Sequence, residues 1–175
     1  MGNGALSKTN LADDQKKYSD LEELFLNTIF NKSEQLQIKH MFKSGGISKV
    51  LEHLEVVPLL PLIMDWFQNQ LNLDENCSET EQIIYLLDML HPNQSCENKR
   101  DLAWKVYNVD DDEYIGQEDL VMVYRHILPS LPVSRHQVLA RRALSVFADN
   151  RVVKENFELL LPDNRLIEMF SKTIF

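Results

Sequence analysis

Apolar residues recur three and four positions apart along nearly the whole chain, and apolar–polar alternation never runs beyond a few residues. That pattern predicts an all-α protein. Helices are expected over 20–30, 33–42, 58–69, 79–90, 98–107, 117–128 and 134–148, with one or two more after Lys154. Two starts carry their own signal. In Ser19-Asp20-Leu21-Glu22 and Ser78-Glu79-Thr80-Glu81 the hydroxyl is placed to accept from a first-turn amide while the Glu reaches back to the cap amide. The second of these helices should stop at His91-Pro92, where the proline restricts the residue before it. Residues 1–17 carry no comparable periodicity and are expected as a flexible N-terminal arm.

The helices fall into pairs, and the third pair carries chemistry. Between Trp104-Lys105-Val106-Tyr107 and Leu120-Val121-Met122-Val123-Tyr124 lies a loop running from Asn108 to Asp119. Counting Asn108 as the first position, side-chain oxygens fall at positions 1, 3, 5 and 12 (Asn108, Asp110, Asp112, Asp119), Tyr114 offers its carbonyl at position 7, and Ile115 stands at position 8. Such spacing wraps a hard cation with alternate side chains, while the position-8 residue pairs with a neighbouring loop; it is the EF-hand pattern. Calcium or magnesium is the expected ion, one per chain at most and weakly held. Glu113 stands at position 6, where glycine usually takes a positive φ; Asp119 is a methylene shorter than the usual Glu; and Asn108 removes one negative charge.

Elsewhere the same layout lacks ligands. Phe42-Lys43-Ser44-Gly45-Gly46-Ile47 and Phe147-Ala148-Asp149-Asn150-Arg151-Val152 repeat the aromatic and β-branched pair with the ligand half shortened, and Gln68, Gln70 and Asn72 supply no carboxylate after Phe67. No cation is expected at any of the three. The repeat reading gives helix pairs near 20–54, 58–90, 98–128 and 134–161: an N-terminal lobe over 18–92, a C-terminal lobe over 97–161, and a tail helix over 162–175.

Four segments resemble a known family: the start Met1-Gly2-Asn3-Gly4; the linker Leu51-Glu52-His53-Leu54-Glu55-Val56-Val57-Pro58 ahead of Trp66-Phe67; the block from Ala103 to Leu120 with its Glu118-Asp119-Leu120; and the tail Leu161-Pro162-Asp163 through Phe170. They resemble the calcineurin B-like EF-hand superfamily, and within it most closely the calcium- and integrin-binding proteins. The departures are the truncated fourth loop and the shortened first hand. The resemblance implies a non-enzymatic adaptor whose hydrophobic groove holds an amphipathic helix of a larger partner, such as a membrane-protein tail or a cytoskeletal protein. Two alternatives are a regulatory subunit gripping the catalytic subunit of a calcineurin-type phosphatase and a metal-independent structural subunit of a larger assembly. The residues supply a candidate groove: Leu59, Ile63, Trp66 and Phe67, with Ile84, Leu87 and Leu90 and with Val121, Tyr124 and Ile127, exceed one narrow core-facing stripe. The competing reading makes all of them core. Leu166, Ile167, Phe170 and Ile174 recur at helical spacing and are placed to cover such a groove.

Composition narrows the classes. The chain has 175 residues, 44% of them hydrophobic and 26% charged, enough to bury a core unaided. Its net charge of −9 argues against nucleic acid as a partner. The longest apolar stretch, Val56 to Met64, is about half a bilayer span and holds two prolines, Pro58 and Pro61. Cys77 and Cys96 are expected as reduced thiols of a cytoplasmic protein. Gly2 resembles an N-myristoylation start with the expected hydroxyl displaced to Ser7, which would add one weak peripheral membrane anchor. No enzymatic constellation is present: the five histidines make no pair at four-residue spacing, neither cysteine has a CxxC partner, and there is no glycine-rich phosphate loop.

Overall fold

The computed structural model describes residues 21–54, 59–71 and 78–170, without the side chains of His53 and of residues 67–71. Among these residues the chain is all-α, with one isolated bridge in place of a sheet. In order come α1 (21–25), α2 (Lys32–Leu54), α3 (Leu60–Leu71), α4 (Glu79–Met89), α5 (Cys96–Tyr107), α6 (Gln117–Ile127), α7 (Val133–Leu144), α8 (Phe157–Leu160) and α9 (Asp163–Phe170). Short 3₁₀ turns at Ala148–Asn150 and Lys154–Asn156 lead into α8.

Side-chain caps fix several starts. Ser78 Oγ accepts from the Glu81 amide at 3.3 Å, and Glu81 accepts from the Ser78 amide at 2.5 Å, the reciprocal pair its sequence predicts. The Ser19 signal lies outside the described residues. A further box opens α2: Asn31 Oδ1 accepts from the amides of Ser33 (2.9 Å) and Glu34 (3.1 Å), and Glu34 accepts from the Asn31 amide at 2.7 Å. Ser95 Oγ caps α5 through the Asn98 amide at 3.1 Å.

Three expected boundaries move by more than two residues. The helix expected to run to Phe30 ends at residue 25 in a turn, where the Thr28 hydroxyl donates to the Phe25 carbonyl at 3.0 Å. No loop opens at 42–47. Helix continues through Lys43 and Ser44 as far as Gly46, whose non-helical backbone divides α2 into two helical segments that meet at a kink. Gly46 makes the kink with φ of 63° and ψ of −153°, a conformation that suits glycine. At the neighbouring Gly45 a Cβ would stand 2.8 Å from Lys49 Cβ, so the rod turns only where both residues lack side chains. Finally, α7 ends at Leu144 instead of 148, and Ser145 Oγ there donates to the Arg142 carbonyl at 2.8 Å.

One apolar core draws on both halves of the chain. Leu21, Phe25, Ile38, Val50 and Leu54 join Ile63, Leu86, Leu87 and Leu90 from the first half and Leu102, Val106, Leu120, Leu144 and Phe157 from the second. Phe157 meets Trp104 and Tyr107 edge-on, each at 5.6 Å between ring centres. The expected division between lobes falls at the α4–α5 joint, where polar groups are buried. Asp88 Oδ1 accepts from the Ile29 amide at 2.8 Å, and its other oxygen from Gln94 Nε2 at 3.3 Å. His91 Nδ1 accepts from the Asn93 amide at 3.1 Å, which leaves Nε2 as the donor to Glu34 Oε1 at 3.0 Å. Phe30 packs edge-on against the same imidazole at 5.5 Å. These contacts tie the start of α2 to the joint between the halves.

Candidate functional site: the 108–119 loop and the apolar faces around it

Helices α5 and α6 hold the loop by both ends. The Asn108 amide completes the last turn of α5 on the Trp104 carbonyl at 2.9 Å, and Asn108 Nδ2 donates to the Asp112 carbonyl at 2.6 Å. Asp110 Oδ1 accepts from the Asp112 amide at 3.4 Å and Asp112 Oδ1 from the Tyr114 amide at 2.8 Å, so each aspartate turns the chain two residues on. Ile115 and Val152 then exchange two backbone hydrogen bonds, at 2.8 and 3.1 Å, joining this loop to the shortened 147–152 loop. That is the pairing expected of the position-8 residue. Arg151, beside Val152, lays its guanidinium over the Tyr114 ring at 3.9 Å.

Two features of the loop differ from the sequence expectation. The positive φ sits at Asp111 (56°), whereas Glu113 is not among the positive-φ residues, so the expected strain at position 6 does not arise. The turn has moved two residues towards α5, onto an aspartate, which tolerates that region better than most side chains. The partner loop makes its own turn with Asp149 (φ 56°) and Asn150 (φ 53°). Asp119 also has a different task. Its Oδ1 accepts from the Val109 amide at 2.9 Å and its Oδ2 from the Gly116 amide at 2.7 Å, and the residue is only 5% exposed. Burial pushes its carboxyl above the ordinary carboxylate range, against the lowering pull of the Gly116 amide, and the nearby Asp110 adds to the rise.

These commitments decide how well the loop suits a cation. Asn108 is buried and its Oδ1 has no hydrogen-bond partner, an orphan acceptor of the kind a metal would satisfy. The twelfth position does not match it, because both Asp119 oxygens are held by amides and would have to release them to coordinate. Among the described residues no three His, Cys, Asp or Glu side chains converge on one point. Asn108, Asp110, Asp112, Tyr114 and Asp119 therefore share one loop but do not fit a resident ion as they stand.

Most of the candidate groove residues lie inside the core. Leu59, Ile63, Ile84, Leu87, Leu90 and Val121 are buried, while Trp66, Tyr124 and Ile127 are half-buried against the core. The side chain of Phe67 lies outside the described residues. The surplus apolar surface is thus largely part of one core cluster, to which α2 contributes Ile38, Met41, Val50 and Leu54. Beside Trp66 opens a polar cleft of about 230 Å³, lined also by Tyr85, Asp88, Asp101, Leu102 and Lys105. In it Lys105 Nζ stands 5.0 Å from the centre of the Trp66 ring.

The tail helix α9 packs chiefly on α5. Leu166 and Phe170 are fully buried, Ile167 is 44% exposed, and Ile174 lies outside the described residues, as does Gly2. Arg100 pairs with Asp163, and Tyr107 Oη contacts Met169 Sδ at 3.8 Å. Burial pushes the Tyr107 phenol far above its ordinary range, so it remains a neutral donor under the tail. The Asp88–His91–Glu34 joint and the amide-bound Asp119 were both missing from the sequence expectation. A signal existed for each: Asn31 precedes Glu34, and Gly116 precedes Asp119, at the three-residue spacing that lets a carboxylate reach back to a helix start. Compared with known protein families and curated proteins, the chain matches no family model and no curated sequence.

Proposed function

We propose that this chain is a non-enzymatic, EF-hand-like adaptor or regulatory subunit that holds an amphipathic helix of a larger protein, as its resemblance to the calcium- and integrin-binding proteins implies. The observation that carries the reading is the reciprocal Ile115–Val152 bridge, which couples the α5–α6 unit to the unit formed by α7 and α8. Such coupling makes two helix pairs one body with a shared apolar face. The tail supports the reading: α9 is itself a short amphipathic helix, with Leu166 and Phe170 turned into the core against α5 and Ile167 outward. In this reading α9 occupies the seat that a partner helix takes, and the two compete. The seat is centred on α5, a change from the face formed by 59–90 and 120–128. Metal is not needed for it, since Asp119 closes the third loop through two amides.

Truncation before Pro162 tests it. The shortened chain should bind more of a hydrophobic dye, keep a cooperative unfolding transition, and rebind a synthetic peptide of residues 162–175 added in trans. If truncation removes the cooperative transition, α9 is ordinary core and the competition mechanism fails.

A further inference from the structure

Residues 120–148 contain no aspartate or glutamate, although the chain as a whole is at −9. The stretch centres on α7, whose sequence VSRHQVLARRAL carries three arginines and no acid. Its inner face, His136, Ala140 and Leu144, is buried, and α6 is its main packing partner. Its outer face is exposed among the described residues. Arg135, Arg141 and Arg142 are exposed and none makes an ion pair among the described residues, whereas Lys39, Lys49, Arg100, Lys154 and Arg165 each pair with a carboxylate. Val138 is 51% exposed between them, and Val146, just past the helix end, is 80% exposed.

Helix stability does not account for this arrangement. Arg141 and Arg142 lie in the last turn, where a cation complements the helix dipole, but Arg135 lies in the first turn, where a cation opposes it and an acid would be expected. The spacing from Arg135 to Val138 to Arg142 puts all three on one side of the helix, with the guanidinium groups two turns apart around an apolar centre.

From this we infer that the outer face of α7 is a docking surface for an acidic amphipathic segment of a partner protein, with carboxylates on Arg135 and Arg142 and an apolar side chain on Val138. Guanidinium groups take carboxylates in paired hydrogen bonds, and a rigid helix presents them with little loss of freedom. An anionic membrane fits less well, because the rest of the chain is acidic and the exposed large apolar residues of α7 itself, Val133 and Val138, include no aromatic anchor. Nucleic acid fits less well for the same charge and for want of a stacking ring on the face. The surface is independent of the α5 seat proposed above.

The test uses the full chain and a labelled helical peptide with Glu at i and i+7 and Leu at i+3, followed by fluorescence anisotropy. Saturable binding is expected that weakens as salt rises, and R135Q/R142Q should lose about tenfold in affinity with an unchanged melting curve. V138S should lose severalfold. The charge-reversed chain R135E/R142E should bind the matching peptide with Lys in place of Glu, which a merely structural role of the arginines would not produce. Equal binding of a Gln peptide, or no saturable binding of the Glu peptide, overturns the inference. So does tighter binding to phosphatidylserine vesicles or single-stranded DNA, or self-association that R135Q/R142Q abolishes, since these assign the face to a membrane, nucleic acid or a second copy.

Discussion

At the scale of single residues, Lys99 is the side chain whose place in the fold its sequence neighbourhood least foretold. It sits in the first turns of a polar-looking segment, Cys96-Glu97-Asn98-Lys99-Arg100-Asp101, yet it is fully buried, with its ammonium donating to the Pro92 carbonyl at 3.2 Å. Burial holds its pKa below the ordinary value of 10.5, with Cys96 pulling weakly the other way. A lowered lysine pKa means that the folded state disfavours the ammonium. Its contribution to stability is complete above 10.5 and is lost as pH falls through the lowered value. Lys99→Met keeps the length of the stem and removes the buried charge, so it should stabilise the chain by about 1 kcal/mol at neutral pH. That advantage should narrow as pH rises towards 10.5. Urea unfolding midpoints of the two chains at neutral and alkaline pH measure both effects.

At the scale of elements, the weak calcium binding expected of the 108–119 loop rests, in the structure, on Asp119 rather than on a strained Glu113. Position 6 carries no positive φ; the cost lies in Asp119, whose oxygens would have to abandon the Val109 and Gly116 amides before reaching an ion. Each buried amide left without its acceptor costs about 1–3 kcal/mol, so the two together offset a large part of the roughly 7–10 kcal/mol binding energy of a sensor site. Calcium should therefore bind no tighter than about 10⁻⁵ M and at no more than one site. Calorimetry checks the stoichiometry. At about 10⁻⁴ M calcium the gain in unfolding free energy should not exceed about 1.4 kcal/mol. A second tight site, or a larger gain, would show that the loop rearranges more cheaply than its hydrogen bonds imply. The kinked α2 makes a related point: the short 42–47 segment joins two helical stretches with one non-helical residue, Gly46, at the corner.

At the scale of the whole molecule, the two halves meet at a polar joint whose charges respond to pH in opposite senses. Burial pushes Glu34 up, but its hydrogen bonds from His91 and from the Asn31 amide outweigh that and leave its pKa below the ordinary 4.5. Its stabilising contribution is present above 4.5 and is lost as pH falls through the lowered value. Asp88 behaves inversely. Burial raises its pKa above 3.8 despite the Ile29 amide, so its contribution is complete below 3.8 and is lost as pH rises through the raised value. Glu34→Gln should flatten the loss of stability in acid, whereas Asp88→Asn should remove the loss that sets in on raising the pH. Denaturant midpoints between about pH 3 and pH 6 separate the two, and parallel curves for wild type and both variants would refute the joint.

The sequence by itself determined what local geometry controls. The all-α class, the Ser78 start, the stop at His91-Pro92 and the pairing role of Ile115 follow from hydrogen bonds and side-chain periods that close within a few residues, and each stands in the fold. Tertiary structure decided the rest, because burial depends on which distant face arrives. Leu87 and Leu90 look the same in sequence whether a groove or a core receives them, and in the fold both are fully buried in the common core. Asp119 is a reasonable ligand by spacing, and becomes a loop clasp only once Val109 and Gly116 turn their amides towards it. Phe170 is one more apolar position on a tail until α5 supplies the surface that buries it completely.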